Sequence, residues 1–425
     1  MVGFSYFLEK TGAYGPNQFS YRKNRGCKDA LALNVLQWLW WFAQGYKVGL
    51  YCSDVAGAFD KVSTEKFLAK LVHLGVRGKL LNFLSSWLES RDAIVIVDGS
   101  CSSKAVLRNM VYQGTVLGPP LWNVFFADAR FPVGDKGFTD IFFADDLNCY
   151  KAFPSTTSND SVYSELHTCQ ASLHEWGASN RVEFDQLKET FHVLDRRKPD
   201  GECFTVLGVV WDLKLRMDIE CDEVAGRADN KLTSLLRLRS FYDLPSLVRF
   251  YKAQVLPMLE FPTRAVYHAC NTNLAKLDRV QRRFLREVGL TTEQAFLGFN
   301  LAPLQTRRDV AGLGIVHRTV LGQGPPHFRK WFFPSQRARH SHYTRLQDSR
   351  HNKHLHDYLD GSHNELLRRS LLSLPKVYNG LPQSVVDAKS VATFQKKLTR
   401  LVRNKLNNGD DRWEQSLNLR QVSFF

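Results

Sequence analysis

Two adjacent acidic residues, Asp145 and Asp146, lie inside an otherwise apolar stretch that runs from Phe142 and Phe143 to Leu147, Cys149 and Tyr150. Apolar flanks on both sides read as two buried strands, and the acidic pair between them as the turn of a hairpin over 139–150. An ionised carboxylate is costly in such surroundings unless a cation compensates it. A third carboxylate, Asp54, closes another apolar run, 48–54, well upstream. Three carboxylates brought together on neighbouring strand ends can hold two divalent cations about 3.5–4 Å apart, the arrangement that serves in-line displacement at phosphorus. The chain carries its own contrast. Gly409-Asp410-Asp411 repeats the acidic pair, but Asn407, Asn408 and Arg412 around it are polar, so it reads as a solvated loop.

With 425 residues and a net charge of +15, the chain has room for two or three domains and favours a polyanionic partner. The charge is unevenly spread: residues 1–220 sum to −1 and residues 221–425 to +16. Acidic chemistry thus falls in the first half and phosphate-gripping capacity in the second. The eight cysteines form no C-x-x-C pair and no framework spacing, so reduced thiols of an intracellular protein are expected. No basic segment followed by an apolar run opens the chain, and no window approaches the roughly 18 apolar residues of a membrane span. The apolar cluster at Trp38, Trp40, Trp41 and Phe42 reads as a packed helix face.

The periodicity predicts a loop-rich start over 1–30, a helix over 27–44, helices over 65–74 and 78–90, and a hairpin from 93–97 and 105–111. A helix follows over 119–129, opened by Pro119 and Pro120. Beyond the acidic hairpin come a helix over 161–177, short strands near 182–184 and 191–195, and a strand over 203–212. From 222 onward the pattern is mainly helical, clearest over 274–288, where Arg279, Arg282, Arg283 and Arg286 share the face opposite Leu277, Val280 and Phe284. That basic face suits a phosphate backbone, or is simply solvated. The stretch 322–363 reads as an irregular linker, helices resume over 363–375 and 388–406, and the last dozen or so residues look frayed. Six of the thirteen histidines (His340, His342, His351, His354, His356 and His363) fall near the linker, but no Cys follows Cys270 and no zinc knuckle is expected.

Two further segments bear on the acidic site. After Asp54 and Val55, the small residues Ala56, Gly57 and Ala58 permit a tight turn into Phe59, whose ring could floor a sugar pocket and collide with a 2′-hydroxyl. Gln113, Gly114, Thr115 and Gly118 make a Gly-rich turn into a helix, where backbone can approach a nucleotide closely.

In order and spacing, Asp54 with Ala58-Phe59-Asp60, Gln113 through Gly118, and Phe143-Ala144-Asp145-Asp146 resemble motifs A, B and C of reverse transcriptases from non-LTR retrotransposons, the LINE type with jockey and CR1. Gln18 through Gly26 resembles a fingers segment of that family. Trp176, Asn180 and Lys188 are similar to motif D, Val206 through Val209 to motif E, and Tyr251 through Arg283 to the thumb. Val377 through Pro382 with Phe394 is similar to the end of such reading frames.

The resemblance implies an α+β right-hand polymerase: partial fingers and palm over 1–212, a helical thumb over 213–300, and a basic, mainly helical region of uncertain fold over 301–425. It implies RNA-templated DNA synthesis from a DNA primer, with dNTPs, two Mg²⁺ ions (Mn²⁺ could stand in) and work in the nucleus. Asp54, Asp145 and Asp146 would hold the ions, with the Val55 carbonyl as a further ligand. Phe59 would exclude ribonucleotides, and Gln113 and Gly114 would contact the nascent pair. Arg22 and Lys23 would meet the triphosphate, and the Arg279, Arg282, Arg283 and Arg286 face would track primer–template phosphates. Lys188 is the candidate acid for the leaving pyrophosphate, unless it is an ordinary surface lysine. Relatives carry further fingers residues before the Gln18 segment, so a truncated fingers region is expected, and neither an endonuclease nor a ribonuclease H pattern is expected. Tyr112 stands where Pro is usual, and Asp185 where Asn is usual. The rival readings are an inactive RNA-binding relic and a group II intron-type maturase.

Overall fold

A computed structural model describes residues 2–335, 351–360 and 364–420. The chain divides into two compact units: residues 1–27 with 47–201, and residues 28–46 with 202–425.

The first unit is built on a four-stranded sheet in the order Thr139–Phe143, Asp146–Pro154, Tyr46–Ser53, Thr190–Leu194. The last two strands pair antiparallel, with Val48 opposite Leu194 and Tyr51 opposite Phe191. The first two form the acidic hairpin, Phe143 facing Asp146 and Thr139 facing Tyr150. Helix Asn159–Asn180 packs on this sheet through Val162, Leu166, Cys169 and Leu173. Its close approach depends on Gly49: a Cβ there would sit 2.7 Å from a Val162 methyl and 2.9 Å from the Phe153 ring. Ser158 caps the helix N-terminus and Arg181, at φ 59°, ends it in the left-handed conformation. Trp122, Phe125 and Phe126 of helix Gly118–Phe126 are fully or almost fully buried in the same core, beside Phe142 and Phe67.

In the second unit helix Cys27–Ala43 is covered on nearly every side, with Trp38 wedged against Phe204 and Trp211. Its one buried charge, Asp29, is met by both Arg264 (3.3 Å) and Arg318, as a buried carboxylate requires. Helix Asp218–Leu236 packs along Asn271–Glu287, and Leu304–Val320 along Val391–Asn407. The second approach is close because Gly314 faces the Gln395 amide, 2.6 Å from where a Cβ would lie.

Most elements fall where the periodicity puts them, with some exceptions, among them the hairpin expected from 93–97 and 105–111: Arg91–Ala93 pairs with Ala105–Leu107, and Ile96–Val97 pairs with Ser100–Cys101 instead. Residues 2–10 are helical, Leu8 fully buried, rather than loop. The strand expected over 203–212 is a hairpin of Phe204–Val206 with Val209–Trp211, because Leu207 and Gly208 both take positive φ and turn the chain back. Near 182–184 there is only an isolated bridge, Val55 to Phe184. The described parts of the supposed linker are packed: Phe328, Trp331 and Phe332 are buried and Pro334 bridges Leu355. The described part of the C-terminal segment, expected to be frayed, is packed, with Trp413 stacked on Phe296 and Arg420 bonded to the Arg369 carbonyl; residues 421–425 lie outside the described residues. All eight cysteines are free thiols. Among the described residues no helix is long and apolar enough to cross a membrane. His340, His342 and His363 lie outside the described residues; His351 is buried and bonded to the Tyr378 carbonyl.

Candidate active site

The hairpin turn is two residues long, Ala144 and Asp145, between the paired Phe143 and Asp146. Ala144 has φ 60° and Asp145 does not share its positive φ, the sign pattern of a type II′ turn, whose first central position usually takes glycine. A residue with a Cβ costs about 1–2 kcal/mol there. Its backbone is held accordingly: the Ala144 N–H donates to Gln18 Oε1 (3.0 Å) and Ser20 Oγ (2.8 Å), and Gln18 Nε2 donates back to the Ala144 carbonyl (3.1 Å).

Asp54 follows the central strand Tyr46–Ser53, which is hydrogen-bonded to the strand that Asp146 opens. Its carbonyl accepts from the Asp185 N–H (2.9 Å), and the Ala56 N–H donates to the Glu183 carbonyl (2.9 Å). Those two bonds flank the pair Val55–Phe184, so the Val55 carbonyl points away from residues 183–185. The carboxyls of the three aspartates feel one another. Partial burial, then the charges of Asp54 and Asp145, push Asp146 up to about 6. Burial and the Asp54 charge also raise Asp145.

Lys188 answers that crowding. Its Nζ lies 2.5 Å from Asp54 Oδ2 and 3.6 Å from Asp185 Oδ2. Bonding to Asp54, then its charge, raises the ammonium above its ordinary value. Next to it Glu189, 4 % exposed, accepts from Tyr51, Ser53, Gln170 and His174. Burial works against ionisation there, but the Tyr51, His174 and Gln170 hydrogen bonds hold the Glu189 carboxyl below the usual range. The loop carrying Lys188 is thereby fastened to the strand carrying Asp54.

Three hard oxygen donors this close, with Asp145 and Asp146 raised in part by the charge of Asp54, suit a divalent cation. In this arrangement Lys188 stands on Asp54, and among the described residues no three acidic, thiol or imidazole groups converge tightly enough to hold an ion together. Phe59 is half-buried, its ring 5.9 Å from Trp122 and its carbonyl accepting from the Val111 N–H (2.7 Å). Gln113 and Gly114 are exposed, Gly114 at φ 74°. Gly118 makes the turn fit: a Cβ would come within 2.9 Å of the Tyr112 carbonyl and 3.4 Å of the Phe59 ring. Tyr112 donates to the Glu89 carbonyl (2.6 Å) beneath the Arg91 guanidinium.

The basic candidates divide by what holds them. Arg22, its side chain 4 % exposed, binds both oxygens of Glu9 (2.8 and 2.5 Å) and the Gly15 carbonyl (2.6 Å), whereas Lys23 is exposed. In the second unit Arg283 is partly buried against Asp229 (2.6 Å) and Thr233 (3.1 Å). Arg279 and Arg282 are exposed, and Arg286 leans on Glu287 at 3.7 Å. Gly409-Asp410-Asp411 is a surface turn closed by the Asp410–Arg412 contact, as its polar neighbours indicate. Sequence reasoning missed Gln18, Ser20 and Glu189 as site residues. Their signal is a polar residue buried beside a functional turn, visible only after folding.

A family model described as reverse transcriptase (RNA-dependent DNA polymerase) matches residues 6–211. The RNA-directed DNA polymerase from mobile element jockey of Drosophila funebris is 27% identical over 66% of this chain and 32% of its own length. Its Drosophila melanogaster counterpart is 25% identical over 64% and 31%. The probable RNA-directed DNA polymerase from transposon X-element of Drosophila melanogaster is 22% identical over 66% and 32%. The chain thus spans about a third of the length of these relatives. A structure of telomerase from Candida albicans, with a telomeric RNA fragment, aligns with 70% of this chain and 53% of its own at 11% identity and a TM-score of 0.33, too slight to argue from. Residues 6–211 thus match the reverse transcriptase family, and the curated proteins the chain resembles are RNA-directed DNA polymerases of the jockey and X-element mobile elements.

Proposed function

We propose that this chain is an RNA-directed DNA polymerase that extends a DNA primer on an RNA template with dNTPs. The observation that carries the reading is the crowding of three carboxylates at two adjoining strand ends, where burial and the charge of Asp54 raise both Asp145 and Asp146, a cluster of negative charge in want of a cation. Divalent cations, Mg²⁺ or Mn²⁺, would there activate a primer 3′-hydroxyl and neutralise the triphosphate. Asp54, Asp145 and Asp146 would hold them, with the Val55 carbonyl as a further donor. Lys188, now paired with Asp54, would be released as Asp54 took up that duty, and its ammonium would then serve as the acid for the departing pyrophosphate. Phe59, wedged beside Gly118, forms the floor that a 2′-hydroxyl would strike. Gln113 and Gly114 present exposed side chain and backbone to the new base pair. Lys23 is an exposed cation for the triphosphate, whereas Arg22 would have to exchange Glu9 for a phosphate. Arg279 and Arg282, with Arg286 and Arg283 behind them, track the duplex backbone.

In this reading residues 1–212 supply fingers and palm, 213–300 a thumb, and 301–425 a basic C-terminal region, with synthesis taking place at nuclear DNA. The test is Mg²⁺-dependent dTTP incorporation on poly(rA)/oligo(dT), wild type beside Asp145→Asn. Incorporation abolished by the substitution supports the reading. No incorporation by wild type, with primer–template binding intact, overturns it in favour of a non-catalytic nucleic-acid binder.

A further inference from the structure

The acidic turn does not stand by itself. Residues 17–19 run beside strand Thr139–Phe143, the Phe19 N–H donating to the Phe142 carbonyl (2.9 Å) and the Phe142 N–H to the Asn17 carbonyl (3.0 Å). That pairing delivers Gln18, 3 % exposed, to the turn. Its Oε1 faces three donors: the Ala144 N–H, the Ser20 N–H (3.0 Å) and the Ser20 hydroxyl (3.0 Å). Its Nε2 faces the Ala144 carbonyl. Only one orientation of the amide satisfies this set, so the side chain is keyed to the turn. The Ser20 hydroxyl works in both directions, donating to Gln18 and accepting from Ala144. Behind it the Asn123 amide, 1 % exposed, donates to the Ser20 carbonyl (2.9 Å). Asn123 belongs to helix Gly118–Phe126, which the Gln113–Gly114 turn leads into.

Both backbone polar groups of the one strained residue in the turn are therefore satisfied by a side chain 126 positions away. A positive-φ residue with a Cβ persists where its surroundings over-determine it. We propose that Gln18 and Ser20 are positioning residues of the acidic turn: they lock Ala144 in its left-handed conformation and thereby aim Asp145 and Asp146 at a divalent cation. Asn123 ties the same lock to the helix beside the nucleotide-contacting turn. This rests on the polymerase reading for its consequence in catalysis, but not for its consequence in cation binding. Outer partners that orient metal-binding groups typically change affinity by about 10–100-fold when removed.

The experiment uses the full chain and two readouts. Mn²⁺ affinity is measured by electron paramagnetic resonance without nucleic acid, and kcat and KM for dTTP on poly(rA)/oligo(dT). Gln18→Ala should weaken Mn²⁺ about tenfold and lower kcat to a similar degree while KM stays within about twofold. Adding Ala144→Gly, which takes positive φ freely, should recover part of both losses. Ser20→Ala should act in the same direction more mildly and Ser20→Thr should restore it, which keeps the test open if Gln18→Ala folds poorly. Unchanged Mn²⁺ affinity in Gln18→Ala and Ser20→Ala overturns the proposal. So do losses that follow the melting temperature alone with no recovery from Ala144→Gly, and a wild type that binds no Mn²⁺. A wild type that binds Mn²⁺ yet incorporates nothing sinks the polymerase reading instead, and the Mn²⁺ comparison still decides the lock.

Discussion

The Lys188 ammonium sits 2.5 Å from the Asp54 carboxylate, occupying the oxygen that a divalent cation would claim. The two therefore compete. Replacing Lys188 by Gln should lower the Mg²⁺ concentration needed for half-maximal activity, because Asp54 is no longer neutralised. The maximal rate should nonetheless fall by on the order of 10²-fold, the ordinary worth of a positioned proton donor. A Mg²⁺ titration of the two proteins measures both quantities, and a rate unchanged at saturating Mg²⁺ would remove Lys188 from the chemistry.

Asp146 makes stability depend on pH in a direction opposite to that of a salt-bridged carboxylate. Its folded-state value, raised from 3.8 to about 6, means the folded chain holds this proton more tightly than the unfolded one. Stability contributed by the protonated form is present below about pH 4 and lost as pH rises through 6. In metal-free buffer at pH 8, Asp146→Asn should thus be more stable than wild type by about 1 kcal/mol, after allowance for solvent screening at this exposed position. The gain should vanish below about pH 4. Urea unfolding at both pH values checks it.

Phe59→Val should relax discrimination against ribonucleotides by removing the ring beside Gly118. Gly118→Ala should raise the dNTP KM, since its Cβ would press the Tyr112 carbonyl and the Phe59 ring. Paired dTTP and rUTP incorporation assays distinguish the two. Unaltered rUTP use by Phe59→Val would take the gate away from this residue.

The basic helix should separate into binding and structural arginines. Arg279→Ala with Arg282→Ala should reduce the slope of log affinity against log salt by about 1.5, at roughly 0.7–0.9 per lost phosphate contact. Their melting temperature should hardly change. Arg283→Ala, which strips Asp229 of its partner, should instead cost about 0.5–1 kcal/mol of stability.

Much of this site was legible before folding because its signals are local. Asp145 and Asp146 stand out against apolar strands, and Asp54 ends an almost continuously buried run. Gly118 and Gly114 mark a turn that larger residues cannot make. The hairpin at Phe204–Trp211 escaped notice because Leu207 gives no hint of the positive φ it adopts beside Gly208. Helix 2–10 escaped because so short a segment owes its form to packing of Leu8, not to its own propensity. The four arginines on helix Asn271–Glu287 look equivalent by spacing. Asp229 and Thr233 make Arg283 different.

The sequence by itself determined the chemistry on offer: three carboxylates, a lysine, an aromatic ring and a glycine turn, each set by residue type and short-range pattern. Tertiary structure alone decided how these groups are restrained. The Gln18–Ala144, Lys188–Asp54 and Glu189–Tyr51 bonds each join residues more than a hundred positions apart. A hydrogen bond forms only when its partners come within about 3 Å, a condition that no spacing rule along the chain encodes and that the packed sheet supplies.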